Sequence, residues 1–153
     1  GTEALSTLRI EMGHVAGSEL DGRTIPYDNG LQGMVSKKKD FIGKRSLNRE
    51  AFIVEDRQKV VGVIPIDKKT SIPEGSYLVK DPNVSLPNPK LGHISASCWS
   101  VEYNNPFSLA ILKDGKNMIG QKLFAMSPLK NKTIPVEIVS SHYVDPKGER
   151  VRS

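Results

Sequence analysis

The chain has 153 residues, of which 37% are hydrophobic and 25% are charged, a composition typical of one globular domain or of one domain with part of another. Its net charge of +5 only weakly favours an anionic partner, and the absence of any run of about eighteen apolar residues argues against a membrane-spanning helix. The single cysteine excludes an internal disulfide, so we expect a reducing compartment, the cytoplasm.

The first predicted element is a helix over residues 2–12. Apolar residues recur along it at three- and four-residue spacing, namely Leu5, Leu8 and Met12. Thr2 is the predicted N-cap, and Gly13 fits a left-handed C-cap. Because nothing before this helix offers a surface for its apolar stripe, we expect the chain to start inside a larger domain.

A loop and a second helix are predicted next. The loop, over residues 17–30, contains two turn signals, Asp21-Gly22 and Asn29-Gly30. The segment DFIGKRSLNREAF predicts a helix with Asp40 as its N-cap. Gly43 lies inside it and has a low helix propensity, which weighs against the prediction.

From about Lys59 the hydrophobic period changes to two residues, which indicates β-strands. Six short candidates are separated by turns: KVVGVIPI, EGSYLVK, GHISASCW, FSLAILK, KLFAM and TIPVEIVSS. In the third, alternation places Ile94, Ala96 and Cys98 on one face, so Cys98 is predicted to be a small core residue. The Pro/Asn-rich stretch KDPNVSLPNPK is predicted to be a loop. The residues alone favour a small antiparallel barrel or a sandwich.

Four carboxylates lie within eighteen residues: Glu11, Glu19, Asp21 and Asp28. Charged side chains are seldom buried, so a solvated loop is the expected setting for those after the helix. Glu11 differs because it lies near a helix C-terminus, where the helix dipole disfavours an anion. It should therefore have a partner, which could be Arg9, the amides of the loop or N–H donors of a ligand.

No other cluster predicts catalysis or metal binding. The histidines (His14, His93 and His142) and the lone cysteine lack metal-ligand spacing, so no metal site is expected. The run Lys37-Lys38-Lys39, with Lys44 and Arg45, could bind phosphate or a carboxylate tail, although a solvated turn is its ordinary interpretation. Nucleic acid is not an expected partner, because no aromatic residues are interleaved with these basic ones.

A series of motifs runs through the chain in a fixed order. They are LRIEMG, PYDNGL, KDFIGK, LGHISASCWSVEYNNPFSLAIL and PVEIVSSHYVDPKGERV. The series resembles the aminomethyltransferase family, the glycine-cleavage T-proteins, over nearly the whole chain. One branch is more similar, the alpha subunits of heterotetrameric sarcosine oxidases, through RTIPYDNGLQGMVSKKKDFIGKRSL and a tail of the form V-D-P-x-G-x-R.

The resemblance implies an α+β fold that is mainly β. Residues 1–57 would be a helix-loop-helix remnant of a T-protein-like folate-binding domain, and residues 58–153 a small antiparallel Greek-key-type β-barrel. The chain would then be the C-terminal end of an alpha subunit whose folate-binding body lies mostly upstream.

The resemblance also implies the reaction of the whole enzyme, which is oxidative demethylation of sarcosine to glycine, hydrogen peroxide and 5,10-methylenetetrahydrofolate. Tetrahydrofolate is the implied cofactor of this half, whereas FAD, FMN and NAD are expected elsewhere in the heterotetramer. The implied partners are the upstream part of the alpha subunit, the flavin-containing beta subunit and the small subunits. The segment alone is expected to be inactive.

Within this chain, the resemblance implies that Arg9, Glu11 and Tyr27 line the folate cleft, with packing against the folate body as the alternative role of each. It implies no catalytic residue here. Gly33 stands where T-proteins often have an aromatic residue, so a stacking role is not carried over to it. Two alternative functions stay open: a glycine-cleavage-type aminomethyltransferase, and a non-catalytic folate-binding or RNA-modification-related module.

Overall fold

A closed antiparallel barrel of six strands dominates the computed structural model, which describes residues 1–83 and 89–152. The strands are β1 (Gln58–Pro65), β2 (Tyr77–Val79), β3 (Gly92–Ser100), β4 (Asn105–Lys113), β5 (Lys122–Ser127) and β6 (Lys132–Val139). Their order around the barrel is β1-β4-β3-β2-β5-β6, and β6 pairs back with β1. Three consecutive strands are neighbours and β1 returns beside β4, which is a Greek-key connection. The predicted fold class is confirmed.

Two hydrophobic cores lie on the two sides of the sheet. The inner core takes residues from every strand, among them Val63, Leu78, Ile94, Leu112, Leu123 and Val136. The outer core lies where the first helix covers the barrel, and it contains Ile10, Ile64, Ala96, Phe107 and Leu109. Because β4 contributes to both cores, it is buried along nearly its whole length, which explains why its sequence is almost continuously apolar.

The first helix, α1 (Thr2–Glu11), forms as predicted, with a different cap. Gly1 is the N-cap and Thr2 is already helical, so the predicted cap was wrong. At the other end Gly13 has φ +69°, as predicted, and a Cβ there would lie 2.6 Å from the carbonyl oxygen of Ser141. Gly13 therefore both ends the helix and lets the C-terminal tail pass close to it.

The face that α1 presents to the barrel is not its predicted apolar stripe. Ile10 and Glu11 are buried, whereas Leu5 is 67% exposed and Leu8 is 58% exposed. The stripe predicted from leucine spacing thus points away from the barrel.

The single helix predicted from Asp40 onward was wrong. Two one-turn helices occur instead, α2 (Lys44–Leu47) and α3 (Glu50–Ile53). Gly43 has φ +95°, a conformation outside a right-handed helix, so it separates Asp40 from α2. Asp40 does not cap α2, and its carboxylate pairs with Lys44 instead, at 3.0 Å.

Short helical turns complete the chain. The 3-10 turns span Gly17–Glu19, Gln32–Met34, Gly115–Met118 and Pro128–Lys130, and a last helix, α4, spans Glu149–Arg152. In residues 1–83 and 89–152, no helix has the length and apolar content that crossing a membrane requires. The loop predicted over residues 80–90 lies partly outside the described residues, and the domain division after residue 57 stays a prediction.

A β-bulge in β3 corrects another prediction. The register of β3 against β4 shifts between Ile94 and Ala96, so Ile94 lies in the inner core while Ala96 lies in the outer core. Cys98 packs against the outer core with Ala96. At the bulge, the carbonyl oxygen of Ser95 accepts a hydrogen bond from the Ser18 hydroxyl at 3.1 Å, which ties the loop after α1 to the barrel.

Candidate functional site

Two of the three residues predicted to line a cofactor cleft lie together in sequence on α1, and the third lies on the following loop. Arg9 and Glu11 are in the last turn of α1, at the contact with β3. Tyr27 lies in the loop that leads to the barrel, and the two clefts that it lines contain neither Arg9 nor Glu11. The structure therefore does not bring the three side chains into one of these clefts.

Arg9 is held by a buried carboxylate of its own chain. Its Nη1 donates to Glu19 Oε2 at 3.1 Å and to the carbonyl oxygen of His14 at 3.3 Å. Glu19 is fully buried, and its Oε2 also accepts the N–H of Ala16 at 2.9 Å. The expected solvated setting of Glu19 was wrong, because a buried carboxylate is tolerated when a cation and an amide satisfy it.

Glu11 is buried without a matching donor. The residue is 6% exposed, and its Oε1 has no hydrogen-bond partner among the described residues. Its carbonyl oxygen is well satisfied, since it accepts the N–H groups of Tyr143 at 3.1 Å and Val144 at 3.0 Å. Buried polar atoms nearly always have a partner. Neither Arg9 nor an amide of the described loop residues supplies one here.

Cys98 lies close enough to Glu11 for the two to interact electrostatically. Burial is the main cause that raises the pKa of the Cys98 thiol to about 12, and the charge of Glu11 raises it further, while Arg9 opposes the change. The thiol is thus protonated at neutral pH and is not an activated nucleophile. In residues 1–83 and 89–152, no three His, Cys, Asp or Glu side chains are arranged to hold a metal ion.

A third buried carboxylate, that of Asp28, joins the loop to the start of β1. Arg57 donates from Nε to Asp28 Oδ1 at 3.0 Å, and its Nη2 donates to Oδ2. Lys59 Nζ lies 3.6 Å from Asp28 Oδ1, and the N–H of Ile25 donates to Asp28 Oδ2 at 3.1 Å. The hydrogen bond to Asp28 is the largest cause that raises the pKa of Arg57. The expected solvated setting of Asp28 was wrong as well.

The sequence analysis did not identify Arg57 and Lys59 as partners of the buried Asp28 carboxylate. The Arg57 guanidinium lies over the Phe52 ring, 5.1 Å from its centroid, and donates to the carbonyl oxygen of Ala51 at 3.1 Å. Lys59 Nζ donates to the carbonyl oxygen of Tyr27 at 3.0 Å. A lone arginine just before a strand gives no sequence signal for such a cluster, since its partner lies 29 residues away.

Tyr27 lines two clefts. The first, of about 470 Å³, is formed with Asp28, Lys59 and Lys116 among others. The second, of about 840 Å³, is formed with the segment from Gln32 to Asn48. A tyrosine among the residues that line both clefts suits a ligand with a flat ring and a polar extension.

Comparison with known proteins gives matches along the whole chain. No protein-family model matches it. It is 37% identical over 153 residues to the sarcosine oxidase subunit alpha of Rhizobium meliloti (strain 1021), covering 99% of the chain and 15% of that protein. It is also 37% identical to the sarcosine oxidase subunit alpha of Corynebacterium sp. (strain P-1), covering 98% of the chain and 16% of that protein.

A solved structure shares the fold. The crystal structure of the glycine cleavage system aminomethyltransferase T from Bartonella henselae matches with a TM-score of 0.74 at 20% identity, over 94% of the chain and 38% of that protein. The chain spans about one sixth of the length of the curated relatives it matches. The family resemblance is confirmed: the chain corresponds to a segment of the sarcosine oxidase alpha subunits and has the fold of an aminomethyltransferase T-protein.

Proposed function

We propose that this chain is the C-terminal segment of a sarcosine oxidase alpha subunit and that it forms part of the subunit's tetrahydrofolate-binding half. The observation that carries the proposal is the 37% identity to such subunits over 153 residues. In the whole enzyme, sarcosine would be oxidatively demethylated to glycine and hydrogen peroxide, and tetrahydrofolate would leave as 5,10-methylenetetrahydrofolate. FAD, FMN and NAD would bind outside this segment.

The residues present fit one end of such a cofactor. Glu11 offers a buried carboxylate oxygen that lacks a donor among the described residues, and the pterin ring of a folate carries N–H groups. In this proposal Glu11 accepts those N–H groups, while Arg9 lines the same region and keeps the loop in place through Glu19. Tyr27 contacts a different part of the ligand. When bound, tetrahydrofolate supplies the acceptor for the one-carbon unit.

The exposed stripe of α1 supports a second part of the proposal. Leu5 and Leu8 are large apolar residues on a face that the barrel does not cover, and adjacent exposed apolar side chains on one helix face favour a protein contact. The chain matches only about one sixth of its relatives, so the upstream part of the alpha subunit is the proposed partner. The flavin-containing beta subunit and the small subunits would complete the assembly, in the cytoplasm.

The test uses the full-length alpha subunit with its partner subunits. Sarcosine-dependent oxygen uptake and formation of 5,10-methylenetetrahydrofolate are measured with and without tetrahydrofolate. We expect oxygen uptake in both cases and the folate product only when tetrahydrofolate is present. An assembly that consumes sarcosine without oxygen uptake, and whose products do not depend on folate, would contradict the proposal.

A variant tests the role of Glu11. Glu11→Gln removes the negative charge at nearly constant volume, so we expect folate affinity to fall about tenfold, since a charge-assisted hydrogen bond is worth about 1.5–3 kcal/mol. Oxygen uptake in the absence of folate should stay unchanged. Glu3→Gln, on the exposed start of the same helix, is the matched control and should alter neither quantity.

A further inference from the structure

The C-terminal tail, residues 140–152, follows β6 and runs against the last turn of α1. At Gly13 the two segments are in close contact, because a Cβ on that glycine would lie 2.6 Å from a backbone oxygen of the tail. Further along the tail, the N–H groups of Tyr143 and Val144 both donate to the carbonyl oxygen of Glu11, at 3.1 Å and 3.0 Å. The last carbonyl groups of a helix lack donors within the helix, so the tail supplies the donors for this one.

Tyr143 fixes the tail to the barrel. Its ring is stacked on the ring of Phe107, with the centroids 4.2 Å apart and an angle of 3° between the planes. Its hydroxyl accepts a hydrogen bond from Asn105 Nδ2 at 2.9 Å and donates one to Asn105 Oδ1 at 3.2 Å. Phe107 and Asn105 are both buried residues of β4. Tyr143 therefore connects the tail to the strand that is buried along nearly its whole length.

The hydroxyl of Tyr143 contributes more than cover for the outer core. A stacked phenylalanine ring would give the same apolar contact, whereas the hydrogen bonds to Asn105 are directional and fix where the tail lies along β4. The tail has another attachment near its end, where Arg150 Nη2 donates to Glu102 Oε1 at 2.6 Å. That ion pair is exposed, and exposed ion pairs contribute little. Tyr143 is therefore the stronger of these two attachments.

The support that the tail gives to Glu11 matters because this residue is held in an unfavourable place. Glu11 is 6% exposed, and its Oε1 has no hydrogen-bond partner among the described residues. A buried acceptor without a donor costs free energy, and turning toward water would remove that cost. Glu11 stays buried because Ile10 beside it packs in the outer core and because the tail binds its carbonyl oxygen. A group that is held in place before its ligand arrives binds that ligand at a smaller entropic cost.

We propose that Tyr143 is a positioning residue of the folate site and that, through the tail, it holds Glu11 where the carboxylate accepts the N–H groups of the pterin ring. The inference rests on the proposed function, since it assumes the role given there to Glu11. Tyr143 does not contact the ligand and acts only through Glu11. Its loss can therefore cost no more folate affinity than the loss of the carboxylate that it positions.

A double-mutant cycle on the full-length alpha subunit, assembled with its partner subunits, tests this coupling. Calorimetry measures the affinity for tetrahydrofolate of the unchanged protein, of Glu11→Gln, of Tyr143→Phe and of the double variant. We expect Tyr143→Phe to weaken binding about threefold, which is less than the loss of about tenfold expected for Glu11→Gln. In the Glu11→Gln background the same change should weaken binding no further, because residues that act through one another are not additive. Asn105→Ala removes the same two hydrogen bonds from the other side and should weaken binding by the same factor as Tyr143→Phe.

Two control variants separate positioning from a general loss of stability. Tyr77→Phe removes a hydroxyl from an exposed tyrosine of β2. Val136→Ala removes apolar volume from the inner core, on the opposite side of the sheet from α1, and should lower the melting temperature more than Tyr143→Phe does. Neither control should alter folate affinity. If Val136→Ala weakens folate binding as much as Tyr143→Phe, the loss follows stability and the inference is overturned.

The remaining outcomes distinguish failure of the inference from failure of the proposed function. If Tyr143→Phe and Asn105→Ala leave folate affinity unchanged, the inference is overturned and the proposed function stands. The same holds if the losses in Tyr143→Phe and Glu11→Gln add in the double variant, because Tyr143 would then act independently of Glu11. If Glu11→Gln does not weaken binding, the role of Glu11 in the proposed function fails, and the inference fails with it.

Discussion

The barrel and the segment over residues 31–57 differ in the burial of their large apolar side chains. In the barrel, Phe107 and Leu109 are fully buried and every strand is paired on both sides. In the segment, Met34 is 81% exposed and Ile42 is fully exposed, and the helices are single turns. The difference teaches that the barrel is stabilised by its own strands, whereas the segment has an apolar surface that its own chain does not cover.

The largest expected effect is the loss of a barrel core residue. Phe107→Ala should lower the free energy of unfolding by about 4 kcal/mol, because Phe-to-Ala changes in cores cost roughly 3–5 kcal/mol. The substitution also removes the stacking contact between the Phe107 ring and the Tyr143 ring, whose centroids lie 4.2 Å apart. Urea unfolding of the 153-residue chain measures the change. Ile42→Ala, in the exposed segment, should stay within about 0.5 kcal/mol, and a similar loss for both would erase the contrast.

The next largest effect concerns the buried ion pair between Asp28, in the loop before the segment, and Arg57, the last residue of the segment. Asp28→Ala should cost about 3 kcal/mol, because it leaves the Arg57 guanidinium without its carboxylate in a mostly buried place. Asp21→Ala is the matched control, since Asp21 pairs with Arg23 on the exposed part of the same loop. Little change is expected there. Equal losses in urea unfolding would show that the Asp28 pair contributes no more than a surface pair.

A smaller effect separates backbone strain from close packing. Gly13→Ala should cost about 2 kcal/mol or more, because a left-handed alanine costs roughly 1–2 kcal/mol and its Cβ would meet the Ser141 carbonyl oxygen. Gly17 also has a positive φ but has open space around it, so Gly17→Ala should cost only about 1 kcal/mol. Thermal unfolding of both variants tests the difference. Identical losses would mean that the contact with the tail is unimportant.

The pH dependence of stability tests the contact between α1 and the barrel. The pKa of Cys98 is raised in the folded chain from 9.0 to about 12, so the folded state holds this proton more tightly than the unfolded state does. The resulting stability is complete below about pH 9 and is lost as the pH rises toward 12. Urea unfolding at pH 8 and pH 10 should therefore show a smaller decrease for Cys98→Ala than for the unchanged chain. Parallel decreases would contradict the burial of this thiol.

The smallest expected effect is on the exposed stripe of α1. The double variant Leu5→Ser and Leu8→Ser should change the stability of the 153-residue chain by no more than about 0.5 kcal/mol. In the full-length subunit the same variant should weaken the contact with the upstream part, which limited proteolysis after Gly13 would detect. A large loss of stability in the isolated chain would show instead that its own residues cover this face.

The sequence predicted the barrel well because its strands depend on a local signal. Alternation in TIPVEIVSS places Ile134, Val136 and Ile138 inward, and the structure buries all three. The bulge at Ser95 could not be predicted, because alternation assumes a regular register and nothing in GHISASCW marks an extra residue. The helix break at Gly43 did have a sequence signal, namely the low helix propensity of glycine. The helical spacing of the apolar residues around Gly43 was given more weight, so a continuous helix was predicted.

The candidate site was predicted less well, since it depends on contacts between distant residues. Composition predicted solvated carboxylates, yet Glu19 and Asp28 are buried because Arg9 and Arg57 pair with them. The helix-dipole argument did indicate that Glu11 needs a partner, and its orphaned oxygen is the one feature of the site that local reasoning reached. Which residues line a folate cleft stays a prediction.

The bulge in β3 has a consequence for where substitutions are tolerated. An extra residue in a strand leaves a backbone oxygen outside the ladder of hydrogen bonds. Here the Ser18 hydroxyl donates to that oxygen, the carbonyl oxygen of Ser95, and so attaches the loop that contains Glu19 to the barrel. The anchoring point on the barrel is therefore main chain, so a change of side chain at position 95 would keep this contact and would remove only the hydrogen bond that the Ser95 hydroxyl donates to the carbonyl oxygen of Leu109 at 3.2 Å. At position 18 the donor is the side chain itself, so homologous chains that keep the contact should have serine or threonine there.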